Sequence, residues 1–247
     1  MSSELPPEAV ELHERGRALC AEGDVPAGLE LLYRAHQRVP SWPYPPYDMA
    51  YSYLLAGELE QAERWYAVVE RLAPRGFFTA KTSLATIRRE RRGGLPEGFS
   101  RAYASLEWLP PAQRRVALEE LVVEFPDFAP AWKDLVGLVD TDERRLTAIE
   151  HGLAADPDRE TAGVLHLNHA LLLDRRGLRA DALVNVQTLL ADPDTTLATE
   201  DGLTLLHTDG TLEGLHPDDG SQRFQQVLGP LRSALAVQST GRNARAE

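Results

Sequence analysis

The sequence is poor in cysteine, in lysine and in long apolar runs. Its one cysteine, Cys20, excludes a disulfide framework within the chain and suits a reducing compartment. Nowhere do about 18 apolar residues follow one another, so no transmembrane helix is predicted. The first residues, MSSELPPEAV, lack the basic start and apolar stretch of a secretion signal, so we expect a cytoplasmic protein. Lys81 and Lys133 are the only lysines, which we attribute to codon bias.

Positive charge is also scarce. The chain carries 26 basic and 38 acidic residues, a formal net charge of -12. Such a balance argues against nucleic acid or an anionic membrane as the main partner.

Catalytic signatures are missing too. The sequence has no GxSxG elbow, no phosphate-binding loop and no GxGxxG motif. His166 and His169 lie three residues apart on a predicted helix, but no cysteine or third histidine stands at ligand spacing. Cys20 has only Arg17 as a nearby basic residue in sequence, which favours an inert thiol. We therefore expect no enzyme activity, no cofactor and no metal.

The chain does contain a repeat with a spacing of 34 residues. The residues that superpose at this shift are Leu19 with Tyr53, Gly23 with Gly57, Gly28 with Ala62, Leu32 with Tyr66, Ala35 with Val69, and Pro40 with Pro74. Each unit is typical of a helix that ends at glycine, a tight turn, a second helix and a terminal proline.

Two further copies follow. Residues 161–193 form a third clear copy, with Gly177 in its turn and Ala182, Val186 and Leu189 on its second helix. Residues 129–157 form a shortened copy with a tighter turn. Small residues at the start of each second helix predict a close approach of the paired helices, and the apolar residues after them predict one buried face.

The period and the positions of the small residues and prolines resemble the tetratricopeptide repeat family over residues 8–193. The resemblance implies an all-α protein, a right-handed superhelix (α-solenoid) of helix–turn–helix repeats. It departs from the family at the usual tryptophan of the first helix, which is kept only as Trp132.

The centre of the array is irregular. Residues 77–92, 98–108 and 112–125 each predict a helix, which makes three where two or four would keep the pairing in phase. We therefore expect a break near Gly93-Gly94 and three regions: residues 1–92, residues 93–193 and residues 194–247. Adjacent glycines have high backbone entropy, so limited proteolysis should cut there early.

The last region has a less regular pattern. Residues 221–237 predict an amphipathic helix that caps the exposed end of the array, or alternatively docks elsewhere. Before it, residues 196–207 predict a short helix, or residues 202–215 a hairpin.

In tetratricopeptide-like arrays the first helix of each pair lines a concave groove that holds the ligand. By register, the resemblance implies a groove lined by His13, Arg17, Tyr47, Asp48, Tyr51, Lys81 and Arg88. Tyrosines beside cationic side chains are typical of binding hot spots. They indicate an extended or helical ligand with acidic and apolar residues. The carboxylate clamp of chaperone-binding members is absent.

The sequence thus predicts a non-catalytic adaptor or scaffold that binds a peptide or protein segment. Two alternatives stay open. One is an enzyme or small-ligand sensor with a pocket at the irregular centre, near Trp108 and Trp132. The other is a structural subunit that self-associates through its capping helix, and the sequence leaves the oligomeric state undecided.

Overall fold

The computed structural model describes residues 5–191 of the chain, and within them every regular element is helical. The α-helices are, in order, α1 (Pro7–Glu22), α2 (Val25–Arg38), α3 (Tyr44–Ala56), α4 (Leu59–Leu72), α5 (Ala80–Arg91), α6 (Phe99–Ser105), α7 (Pro111–Glu124), α8 (Ala129–Val136), α9 (Asp142–Ala154), α10 (Arg159–Arg175) and α11 (Arg179–Ala191). A 3-10 turn, Leu106–Trp108, follows α6. The all-α prediction is confirmed for this part of the chain. None of these helices is both long and apolar enough to cross a membrane.

Within the described residues the chain divides into two compact units, residues 5–120 and residues 121–191. In the first unit α1 pairs with α2 and α3 with α4, while α6 packs on both α3 and α5. In the second unit α8 pairs with α9 and α10 with α11, and α9 also contacts α10. The predicted break at Gly93-Gly94 lies inside the first unit. The predicted capping helix and the segment before it lie outside the described residues.

Three turns close in the same way, and each does so at a predicted glycine. Gly23, Gly57 and Gly177 have φ angles of 96°, 82° and 77°, in the left-handed region that glycine adopts without strain. After each glycine, the next backbone N–H donates to a carbonyl five residues earlier, over 2.9 Å in all three turns. The conformation and hydrogen bonding of the turn therefore repeat together with the sequence.

Burial repeats along the second helices as well. The residues that superpose on α2, α4 and α11 are all buried: Gly28, Leu32 and Ala35, then Ala62, Tyr66 and Val69, then Ala182, Val186 and Leu189. The predicted close approach is confirmed at Gly28, where a Cβ atom would lie 2.4 Å from the Cys20 Sγ and 2.7 Å from the Gly16 carbonyl oxygen.

The shortened copy, α8 and α9, also packs closely. Thr141 begins α9 by accepting a hydrogen bond from the Arg144 backbone N–H over 3.3 Å. A Cβ atom on Gly152 would lie 2.8 Å from a Leu165 methyl and 3.1 Å from the Trp132 Cβ. This glycine therefore lets α8, α9 and α10 converge.

The three predicted central helices are present, but α5 begins three residues later than the predicted Phe77. The reason is that Phe78 has a positive φ of 47°, which interrupts a helix. The two phenylalanine rings pack instead on α3, with Phe77 centred 4.8 Å from Tyr44 and Phe78 5.2 Å from Tyr47. Tertiary aromatic packing thus overrides the local helical preference.

Glu90 joins the two sides of the predicted break. Its carboxylate is buried at the end of α5 and accepts hydrogen bonds from the backbone N–H groups of Gly98 and Ser100, each over 2.6 Å. These two donors belong to the first turn of α6, where no helical carbonyl can satisfy them. A charged acceptor in this position anchors α6 to α5.

Replacing Glu90 with alanine should make residues 92–98 the first site of limited proteolysis, since the start of α6 loses its acceptors and the buried N–H group of Ser100 is left unsatisfied. Cleavage is followed by mass spectrometry on the intact chain. Glu97→Ala is the matched control, because Glu97 is exposed in the same segment. Equal cleavage of both variants would contradict this role of Glu90.

Candidate functional site

All seven predicted groove residues lie in the first unit, on α1, α3 and α5. The structure joins three of them directly, His13, Arg17 and Asp48, while Tyr47 and Tyr51 on α3 contact other residues. The two cationic residues of α5, Lys81 and Arg88, make their contacts elsewhere.

His13, Arg17 and Asp48, which we call the His13 cluster, connect α1 to α3. The His13 Nε2–H donates to the Asp48 Oδ2 over 2.6 Å, and the Arg17 Nε lies 3.4 Å from the same oxygen. His13 is buried, and its ring centroid lies 4.7 Å from that of Trp42 and 5.9 Å from that of Tyr44. Asp48 is therefore already paired, and the cluster contributes to packing between two first helices.

Tyr47 is less exposed than its predicted position on the groove face requires. Its ring is half-buried and packs edge-on against Tyr66 and Phe77, with centroids 5.8 and 5.5 Å away. Its hydroxyl lies 3.1 Å from the Thr79 Oγ1, just before α5. The Tyr47 ring therefore packs against the core, because Phe77 and Phe78 fold back onto α3.

Tyr51, Glu107 and Trp108 form what we call the Trp108 cluster. Tyr51 lies one helical turn after Tyr47 on α3, and Glu107 and Trp108 belong to the 3-10 turn. The Tyr51 hydroxyl donates to the Glu107 carboxylate, and the Trp108 indole N–H donates to the Tyr51 oxygen over 2.8 Å. Burial and the Glu107 carboxylate raise the pKa of Tyr51, so the phenol stays protonated as a donor. Because α6 packs on α3, the 3-10 turn reaches this face of the helix.

Lys81 and Arg88 point toward α4. The Lys81 Nζ lies 3.7 Å from a Glu70 carboxylate oxygen, and the Arg88 Nε donates to Glu63 over 3.1 Å. Glu63 also pairs with Arg91. Burial acts to raise the Glu63 pKa, but Arg91 and Arg88 together lower it below its ordinary value. With Arg17 bound to Asp48, each predicted cation has an acidic partner in its own unit. An acidic ligand would have to compete with these carboxylates for the predicted cations.

The free energy of unfolding should fall at alkaline pH because of the Tyr47 phenol. Burial, reinforced by the charges of Asp48 and Glu107, raises its pKa from 10.0 to about 12. Between these values the unfolded chain loses the phenolic proton while the folded chain keeps it, so folding stability falls as the pH rises. Two pKa units correspond to about 2 to 3 kcal/mol.

Tyr47→Phe should remove this part of the alkaline loss, because phenylalanine keeps the ring contacts and has no proton to lose. Urea unfolding at pH 9 and pH 12 measures the difference between the two pH values for each variant. Tyr33→Phe serves as the control, since Tyr33 is 45% exposed. An unchanged alkaline loss in Tyr47→Phe would show that this phenol is not the titrating group.

Other candidate chemistry is weak in the described part of the chain. It contains no group of three or more His, Cys, Asp or Glu residues that could hold a metal ion. Burial lowers the pKa of His166, and the neighbouring His169 lowers it further. Burial also raises the pKa of the Cys20 thiol, which disfavours the reactive thiolate.

Of the two tryptophans that the alternative pocket would use, Trp108 belongs to the first unit and Trp132 to the second. Within the first unit, an open hollow of about 440 Å³ lies along α7 and is lined by Ala112, Gln113, Val116, Ala117 and Glu120. A single carboxylate among small and apolar side chains offers no acid–base pair or nucleophile for catalysis.

Glu107 is the contact residue that sequence reasoning missed, and Trp108 was assigned only to the rival pocket. The pair ends the helix predicted over residues 98–108 and precedes the prolines at 110 and 111, which marks a helix end but gives no sign of Tyr51, more than fifty residues earlier. No protein-family model matches this chain, and no curated protein matches it. A functional assignment therefore depends on the geometry of its own residues.

Proposed function

We propose that this chain is a non-catalytic interaction module that binds a peptide or protein segment on the surface formed by α1, α3 and the 3-10 turn. The observation that carries the proposal is the alignment of the His13 cluster and the Trp108 cluster on one helix. Asp48 and Tyr51 are three residues apart on α3, so they share a face. Trp108, 70% exposed, ends this surface with a large aromatic ring.

The repeated helix pairs support a tetratricopeptide-like assignment. In this proposal α1 with α2 and α3 with α4 are successive repeats that stack within the first unit as the beginning of a right-handed superhelix. Recurrent glycine turns and recurrent buried positions are what such stacking requires, because one helix pair cannot bury its apolar face alone. The first helices then carry the ligand, as they do in that family.

An exposed tryptophan held in a fixed position by a half-buried tyrosine suits this function. Tyrosine and tryptophan provide large contact area at a small entropic cost, and they dominate binding energy at interfaces. The Tyr51 hydroxyl fixes the Trp108 indole through a 2.8 Å hydrogen bond, so less rotamer freedom is lost on binding.

Selection of random displayed peptides on the full chain tests the proposal. Peptides that bind the proposed surface should lose at least about thirtyfold in affinity on Tyr51→Ala or Trp108→Ala, as hot-spot truncation does. Tyr33→Ala is the matched control, because Tyr33 is an exposed aromatic residue on α2 of the same unit. Thermal melting checks that each variant is folded. If no peptide is enriched, or if every enriched peptide binds all variants equally, the proposed function is wrong.

A further inference from the structure

The Trp108 side chain is both exposed and held in place. Its ring is 70% exposed, the highest value among the large apolar side chains of the first unit. Its indole N–H nevertheless donates to the Tyr51 hydroxyl over 2.8 Å, which fixes the orientation of the ring. An indole face is the aromatic surface that attracts cations most strongly.

The Glu107 carboxylate lies beside this ring and has no cation of its own in the described part of the chain. It is exposed, and it accepts a hydrogen bond from the Tyr51 hydroxyl. Arg101 on α6 makes no ion pair with it, and its guanidinium lies 4.0 Å from where a Gly57 Cβ would stand. By contrast, Asp48 has a cationic partner in Arg17. An unpaired carboxylate next to an open indole is complementary to a cation.

We propose that the Trp108 cluster binds an arginine side chain presented by the partner segment. The inference rests on the proposed function and names its partner chemistry. The planar guanidinium stacks on the exposed indole and donates two N–H groups to the Glu107 carboxylate, a pairing that lysine cannot reproduce. An acidic segment is disfavoured here, because Glu107 repels it and Arg17 is already bound to Asp48.

Tyr51 is the positioning residue of this site. Its hydroxyl contacts both the carboxylate and the indole N–H, so one side chain sets the distance between the two groups that meet the guanidinium. Tyr51→Phe keeps the ring but releases both groups.

The test uses four display libraries of short random peptides whose central residue is fixed as Arg, Lys, Gln or Glu, each selected on the full chain. We expect the arginine library to be enriched at least about tenfold over the Gln and Glu libraries, and over the lysine library by a smaller factor. Glu107→Arg should reverse the preference, with the Glu library enriched and arginine peptides rejected.

The affinity of one selected arginine peptide for each variant then separates the contributions of Glu107, Trp108 and Tyr51 to binding. Glu107→Gln and Trp108→Leu should each weaken binding about tenfold, Trp108→Phe should retain part of the affinity, and Tyr51→Phe should weaken binding less than either loss. Tyr33→Ala should bind as the unchanged chain does, and melting curves confirm that the variants are folded.

The outcomes distinguish a failure of this inference from a failure of the proposed function. If selected peptides lose affinity on Trp108→Leu but show no preference for arginine, or prefer Glu, the inference is wrong and the proposed function stands. If arginine peptides bind Glu107→Arg as tightly as the unchanged chain, the inference is wrong as well. If no library yields peptides sensitive to Trp108 or Tyr51, both are wrong.

Discussion

Replacing Lys133 with methionine should lower the free energy of unfolding of the second unit by about 2 kcal/mol, less than a fully buried ion pair loses with one partner, because the Asp134 side chain is 38% exposed. Lys133 lies on α8 with only 16% of its side chain exposed, and its Nζ is 3.2 Å from the Asp134 Oδ1. Burial alone would lower its pKa, yet the charges of Asp134, Glu160 and Asp158 raise it above its ordinary value. These carboxylates lose their cation in the variant.

The pH dependence of this stabilisation follows from the direction of the shift. Because the folded state binds the lysine proton more tightly than the unfolded chain does, the contribution is fully present below the ordinary pKa of 10.5. It disappears as the pH rises through the raised folded value. The difference in free energy of unfolding between Lys133→Met and the unchanged chain should therefore be largest at neutral pH and should shrink in strong alkali.

Urea unfolding with hydrogen exchange of α8 to α10 measures the effect in the second unit. Arg144→Met is the matched control, because the Arg144–Asp140 pair is 3.4 Å apart with side chains 46% and 80% exposed, and such pairs contribute less than about 1 kcal/mol. The double variant Lys133→Met, Glu160→Gln should recover part of the loss, since it removes one of the stranded charges. Equal losses in the Lys133 and Arg144 variants would contradict a buried charge network.

The helix pairs were predictable because their signals are local. Glycine at the end of a helix needs no distant contact to adopt a left-handed conformation, and Gly23, Gly57 and Gly177 all do so. Apolar residues at helical spacing likewise identify the buried face of α2 and α4. The start of α5 was missed because the conformation of Phe78 depends on the rings of α3.

The candidate site was predictable only in part. Register placed His13, Arg17 and Asp48 on facing first helices, and the structure joins them. The repeat register could not show that Lys81 and Arg88 pair with acidic residues on α4. A long side chain on a helix surface can reach either of the two adjacent helices, and the sequence pattern does not indicate which one. The contact between Glu107 and Tyr51 comes from an irregular segment, where no repeated sequence pattern exists that could predict it.

Tyr66→Ala should lower the free energy of unfolding of the first unit by about 3 to 5 kcal/mol, the cost of truncating a large buried ring. Tyr66 is fully buried on α4, where it packs with Tyr47 at a centroid distance of 5.8 Å. A 34-residue shift superposes it on Leu32, which is also fully buried. If both side chains fill equivalent spaces between stacked helix pairs, Tyr66→Leu should retain much of the lost stability, because leucine is the residue that the first copy uses.

The measurement is urea unfolding, with exchange protection of α3 to α5 as the local readout. Tyr33→Ala makes the same chemical change at a side chain that is 45% exposed, so it should cost less than about 1 kcal/mol. Leu32→Ala should cost about 2 to 5 kcal/mol and reduce protection of α1 and α2 as well as α3, since a position between repeats supports both sides. A small cost for Tyr66→Ala would contradict its place in the core. A Tyr66→Leu variant as unstable as Tyr66→Ala would instead show that the two copies pack differently, and would remove the main energetic argument for equivalent repeats.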